Sequence, residues 1–144
     1  MKLTENFSLE EFTQSDTALR LGIKNIASPT IIGHLKTLAE GLEQVRKVLG
    51  YPIFINSGYR SPELNKAVGG ANTSAHLQGY AADFTCRKFG TPDDIVKVIQ
   101  KSGIKYDQLI CEGTWVHISF APELRQQTLR ALFNGGKVTY KAFI

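Results

Sequence analysis

The sequence predicts an α+β fold in which a small, mostly antiparallel sheet is flanked by helices. Three observations carry this. Apolar residues between Pro29 and Gly50 recur every three and four positions, the period of a helix with one buried stripe. Short β-branched and aromatic runs, bounded by Gly, Pro and Asn, recur along the rest of the chain. Two of these, Tyr106–Cys111 and Trp115–Phe120, are separated only by a turn around Gly113, which makes them an antiparallel hairpin. At 144 residues, 42% hydrophobic and 21% charged, the chain can bury one sizeable core and has no room for a second domain.

The elements follow in order. Ser8-Leu9-Glu10-Glu11 is a capping box that opens a short helix reaching about Gln14. Pro29 starts the long helix, whose stripe is Ile31, Leu35, Leu38, Leu42, Val45 and Leu49, and Gly50 ends it. His34 lies beside that stripe, as a helix-surface or partly buried histidine. Tyr51–Asn56 reads as a strand that delivers Ser57 to Arg60 at its end, and Pro62 to about Val68 as a short helix. Val68–Ser74 is a Gly-rich connection. It lacks the Gly-x-x-x-x-Gly-Lys pattern of a phosphate loop, so nucleotide binding is not expected. Ala81–Arg87 reads as a strand with Ala81 and Asp83 on one face. Thr91 caps a helix to about Ser102, and the hairpin follows. A final helix is expected from about Pro122, then a short strand-like Lys137–Tyr140.

The charge balance is mildly basic, +4, with lysines and arginines scattered rather than clustered. No nucleic-acid motif is present. The start Met1-Lys2-Leu3-Thr4-Glu5-Asn6 has no apolar stretch of the signal-peptide kind, and no segment approaches membrane-spanning length. Cytoplasmic accumulation of a monomer with no stable membrane association is the expectation. Cys86 and Cys111 are too few and too far apart for a zinc ribbon, and in apolar β-type runs they read as buried free thiols.

The chemistry concentrates in Ser74-Ala75-His76-Leu77-Gln78-Gly79-Tyr80-Ala81-Ala82-Asp83 and Trp115-Val116-His117. Two of only three histidines and one carboxylate, His76, Asp83 and His117, form the ligand set a catalytic zinc takes from a protein, leaving one position for water. A structural zinc would close its shell with four protein ligands, mostly cysteine. Asp83 comes to the hairpin from a neighbouring strand and His76 from the loop before it, while Gly79 lets the backbone turn tightly between the two. Glu112 is expected to face His117 across the hairpin turn.

Ser57-Gly58-Tyr59-Arg60-Ser61-Pro62-Glu63-Leu64-Asn65 and Glu112, together with the His76, Asp83 and His117 motifs, resemble the zinc D-Ala-D-Ala carboxypeptidases and endopeptidases of the M15 family, which cut peptidoglycan stem peptides. The resemblance runs from about Phe7, through Phe12-Thr13-Gln14-Ser15, to about Phe120, and is nearest to a small single-domain subgroup often found as phage lysins. It implies a Hedgehog/DD-peptidase-like fold, zinc on His76, Asp83 and His117, substrate held by Arg60, and acid/base chemistry at Glu112. Four residues separate Glu112 from His117, whereas Glu-x-x-His is common among the family's dipeptidases.

In that reading Arg60 stabilises developing negative charge or pairs with a substrate carboxylate; its alternative is a structural salt bridge. Ser74 either contacts substrate or fixes its loop. Tyr59 and Trp115 form the wall of the site, with Trp115 on the strand face of His117. The expected activity is an endolysin-like zinc peptidase on peptidoglycan stem peptides, at the L-alanyl-D-glutamate bond ahead of the terminal D-Ala-D-Ala bond. The alternative is a catalytically silent zinc domain that binds wall peptides or a protein partner.

Overall fold

The computed structural model describes all residues, Met1–Ile144. Helices α1 (Leu9–Thr13), α2 (Asp16–Leu21), α3 (Pro29–Leu49), α4 (Pro62–Ala67) and α5 (Pro92–Lys101) accompany strands β1 (Phe54–Ser57), β2 (Ala81–Thr85), β3 (Gln108–Cys111), β4 (Val116–Ser119), β5 (Gln127–Asn134) and β6 (Lys137–Ala142). The strands form one sheet in the order β1-β2-β4-β3-β5-β6. All neighbours are antiparallel except β3 and β5.

Local chemistry sets the helix ends. The Glu11 carboxylate accepts from the Ser8 N–H at 2.9 Å, closing the expected capping box of α1. Ser28 accepts from Ile31 N–H and Pro29 occupies the first turn of α3, which Gly50 ends in the left-handed conformation at φ 75°. Thr91 and Asp94 cap each other's N–H groups at the start of α5. Leu35, Leu38, Leu42 and Val45 of α3 are fully buried, each contributing roughly 1.5–3 kcal/mol by leaving water. They join Ala82, Phe84, Val116, Ile118 and Leu109 from alternate strand positions, and Ile95, Val96 and Ile99 from α5, in one core. One sheet face is therefore spent on packing. Asp83 and His117, at the intervening positions, point to the other.

Two expectations need correction. Helix α2 falls in a segment where the sequence had suggested no element; its signals were Ser15, which accepts from Ala18 N–H at 3.2 Å, and the left-handed Gly22. The helix expected from Pro122 does not form. Residues 127–134 are β5 instead, paired in parallel with β3 from Gln108–Gln127 to Cys111–Arg130. Good local helix formers are overridden here because β3 would otherwise present an unpaired edge. The buried Asp107 carboxylate holds Arg125 through its Nε and Nη2 at 2.9 and 2.8 Å and its backbone N–H at 3.0 Å. Gln126 and Gln127 N–H donate to the Tyr106 and Asp107 carbonyls. These bonds hold Leu124 and Gln126 at positive φ, 41° and 58°, a conformation no helix contains. The terminal strand expected over Lys137–Tyr140 is present as β6, joined to β5 by Gly135–Gly136, both at positive φ as a tight hairpin turn demands.

Two glycines of α3 separate helix propensity from packing. Gly33 is exposed with nothing within 4 Å of an added Cβ, whereas a Cβ on buried Gly41 would sit 2.5–2.6 Å from the Phe120 ring. Alanine gains up to about 1 kcal/mol of helix propensity at either position. Overpacking at Gly41 costs about 1–3 kcal/mol and outweighs that gain. Gly33→Ala is expected to raise the thermal midpoint and Gly41→Ala to lower it. A Gly41→Ala protein as stable as the wild type in a urea titration would show that Phe120 moves aside freely.

Candidate metal centre

The pairing of β2 with β4 sets Asp83 directly opposite His117, with their side chains on the face away from the core. His76 comes from a short 3-10 turn, Ala75–Gln78, just before β2. Ser74 caps that turn, accepting from the His76 N–H at 3.2 Å, so its observed bond fixes the loop. Gly79 closes it at φ 78°, packed so closely under α3 that a Cβ would lie 3.1–3.2 Å from Ile31. The Arg60 N–H donates to the His76 carbonyl, tying the Ser57–Arg60 segment to the same turn. Gly58 in that segment lies against α1, where any side chain would strike the Phe12 backbone at 2.6–2.7 Å.

The His76 ring is 2% exposed, and its Nδ1 lies 2.6 Å from the Gly58 carbonyl oxygen. A carbonyl only accepts, so Nδ1 carries the proton and Nε2 presents a lone pair. That lone pair faces Asp83 Oδ1 at 3.3 Å, and His117 Nδ1 lies 3.0 Å from the same oxygen. Burial pulls the His76 pKa down, against the opposing pull of Asp83, which keeps the ring neutral. Burial alone would raise the Asp83 pKa, but the two histidines hold it well below the usual carboxylate range. A neutral imidazole nitrogen and a carboxylate oxygen at this separation are two acceptors that need a cation between them. The donor atoms of all three residues lie within 4.8 Å of one another. For tetrahedral zinc with bonds of about 2.0–2.1 Å, ligand atoms stand about 3.3 Å apart. The donor set and its spacing therefore fit a zinc ion with an open position.

Arg60 and Glu112 stand around this cluster. Both feel Asp83 and each other electrostatically, and Glu112 also feels His117. Burial raises the Glu112 pKa, the His117 and Arg60 charges opposing it and the Asp83 charge adding to it. Arg60 makes no ion pair, and its buried Nε has no hydrogen-bond partner, which leaves the structural-salt-bridge reading without support. It lines a polar cleft of about 300 Å³ with Asp83, Tyr59, Asn56 and the Gln14–Thr17 segment. Tyr59 is 8% exposed and forms wall and core together. Trp115 is half-buried, two residues before His117.

The placement of Glu112 differs from expectation. Ile110, not Glu112, lies opposite His117; Glu112 closes the turn by donating its N–H to the Trp115 carbonyl. It still shares the face of His117 because Glu112, one residue past the end of β3, is two residues from Ile110 along extended chain. His34 stays outside the cluster, its Nδ1–H donating to the Gln78 carbonyl at 2.6 Å and its ring stacked on Tyr80. Cys86 and Cys111 are buried free thiols, and burial pushes the Cys111 thiol up to about 11. Sequence reasoning missed Tyr140 of β6, whose phenol is raised by burial and by the Glu112 and Asp83 charges. Its only sequence signal was the Asn134-Gly135-Gly136 turn that folds β6 back.

A family model described as Peptidase M15 matches residues 5–119. A 43-residue stretch is 46% identical to the zinc D-Ala-D-Ala carboxypeptidase of Streptomyces albus G, covering 29% of this chain and 17% of that protein. The chain thus spans far less than two thirds of the length of that relative. With the family match extending over most of its residues, the chain belongs to the M15 family of zinc metallopeptidases.

Proposed function

We propose that this protein is a zinc peptidase that hydrolyses peptidoglycan stem peptides in the manner of an endolysin, at the L-alanyl-D-glutamate bond. The observation that carries the reading is the convergence of His76 Nε2 and His117 Nδ1 on Asp83 Oδ1 beside an unpaired arginine and a half-buried glutamate. His76, Asp83 and His117 would hold the ion. Zinc supplies Lewis acidity, lowering the pKa of bound water from about 15.7 toward about 7.

The chain's own groups do the rest. Glu112, its pKa raised by burial, is suited to accept a proton from the attacking water and return it to the leaving amine. Arg60, with an unpartnered N–H, is placed to donate to the carbonyl oxygen as charge develops or to a substrate carboxylate. Gly58 holds His76 in the tautomer that offers Nε2. An endopeptidase must accommodate chain on both sides of the scissile bond. The open sheet face supports this, running from the Arg60 cleft past His117 toward β6. The second reading, a D,D-carboxypeptidase, is favoured by the local identity to the Streptomyces albus G protein. No helix is long and apolar enough to cross a membrane. Accumulation in the cytoplasm, with a separate membrane-opening factor giving access to the wall, is part of this proposal.

Purified metal-replete protein is expected to carry one zinc per chain by elemental analysis, and the His76→Ala and Asp83→Ala proteins much less. Equal zinc in all three would remove these residues from the ligand set. The Glu112→Gln protein should keep zinc and fold while losing roughly 10²–10⁴-fold in rate. Hydrolysis close to wild type by that zinc-loaded variant would assign the base to another group. Mass spectrometry of digested wall should show a newly exposed glutamate amine. Release of D-alanine alone would select the carboxypeptidase, and neither product from zinc-loaded protein would select a binding domain.

A further inference from the structure

The β5–β6 hairpin lies beyond the residues matched by the family, and nothing in the mechanism above uses it. Its two faces are fixed by independent contacts. Arg130 points to the helix side, where it bonds Asp93 of α5 at 2.8 and 3.0 Å and stacks on Phe143. Ala131 and Phe133 alternate with it and Tyr140 lies opposite Ala131, so these residues share the face of Glu112 and His117. Two further observations agree. A Cβ on Gly113, the residue after Glu112, would lie 3.2 Å from the Phe133 ring. The Tyr140 phenol stands in the field of Glu112 and Asp83.

This face is apolar and uncovered. Phe133, Val138 and Tyr140 are 55%, 44% and 51% exposed, side by side on the strands that continue the floor of the metal centre. Exposed large apolar groups that adjoin a polar reaction centre are a binding surface more often than a chance feature. Two strand spacings separate β3 from β6, about 10 Å, the length of roughly three extended peptide residues. The occupant that fits is thus a peptide already anchored at the metal and running across the strands.

We propose that the β5–β6 hairpin is the far wall of the substrate cleft, with Tyr140 and Phe133 binding the aliphatic part of the peptide two to three residues from the scissile bond. This rests on the peptidase reading of the centre. Tyr140 and Phe133 are specificity-determining residues, and Tyr140 contributes through its ring, with its hydroxyl available to a peptide carbonyl. The pinned linker through Asp107 and Arg125 holds this wall at a fixed height over the site.

The test uses two metal-directed probes on zinc-loaded protein, followed by calorimetry. Acetohydroxamate reaches the metal alone; a hydroxamate extended by three alanyl residues also reaches the hairpin. The wild type is expected to bind the extended probe at least tenfold more tightly than acetohydroxamate. Tyr140→Ala and Phe133→Ala should each lose about 5–20-fold toward the extended probe and leave acetohydroxamate unchanged, and Tyr140→Phe should recover most of the loss. On wall substrate the same variants should raise KM more than they lower kcat. Equal affinity of the extended probe for wild type and variants overturns the proposal, as does a wild type that does not distinguish the probes. A dimer in sedimentation that Phe133→Ala dissociates would assign the face to self-association and overturn it too. Failure to cleave wall, with the probe differences intact, would instead strike the choice of substrate in the proposed function and leave the hairpin's role standing.

Discussion

The register between β2 and β4 is the constraint on which the site depends. Asp83 meets His117 only because Ala81 pairs with Ser119 and Phe84 with Val116. A slip of one residue would turn both functional side chains into the core and push Ala82, Phe84, Val116 and Ile118 toward solvent. Those four residues are fully buried, each with 0% exposure. The apolar face thus enforces the register, and the register delivers the ligands. No interaction among the ligands themselves is needed to bring the strands together.

The third ligand is placed by a different device. His76 sits on a single turn of 3-10 helix and has no ladder to define it. The turn is fixed at its start by Ser74, at its end by left-handed Gly79 under α3, and at its centre by the hydrogen bond from Nδ1 to Gly58. Gly58 is itself held by the close approach of α1, where the Tyr59 N–H donates to the Phe12 carbonyl at 2.7 Å. A chain of backbone contacts therefore runs from the N-terminal helix to one imidazole nitrogen. This explains how a motif near residue 12 and another near residue 58 belong to a metal centre to which neither contributes one of the three ligands.

Much of this could be read in the sequence because the signals are local. The stripe of α3, the caps at Ser8, Ser28 and Thr91, and the hairpin around Gly113 each depend on residues a few positions apart. The sequence motifs also named the residues that the fold gathers around Asp83. What could not be read was set by distant partners. Residues 122–133 have helical propensity, and only the open edge of β3 and the Asp107–Arg125 pair make them a strand. The opposition of Glu112 and His117 failed for a related reason. Two residues, Gly113 and Thr114, form the turn, so Trp115 closes it against Glu112 and His117 falls opposite Ile110. Tyr140 was invisible because its proximity to the site follows from that same misplaced strand.

Two of the buried unsatisfied polar groups lie in the segment around Arg60. Three buried side-chain atoms lack a hydrogen-bond partner: Thr4 Oγ1, near the N-terminus, and Arg60 Nε and Asn65 Oδ1, whose side chains both adjoin Gly70. Each such group costs about 1–3 kcal/mol relative to a bonded one. The half-buried Asp83 carboxylate is desolvated as well, and the two histidines that face it at 3.3 and 3.0 Å offset that burial. Asp83 and Arg60 match what an ion and a peptide would bring: a cation for Asp83, a carboxylate or oxyanion for Arg60. The packing that fixes the register thus lies on one face of the sheet, and the Asp83–His117 pair that an ion would join lies on the other. Ligand binding must then couple favourably to folding, since it relieves the unfavourable terms without touching the packing that positions them.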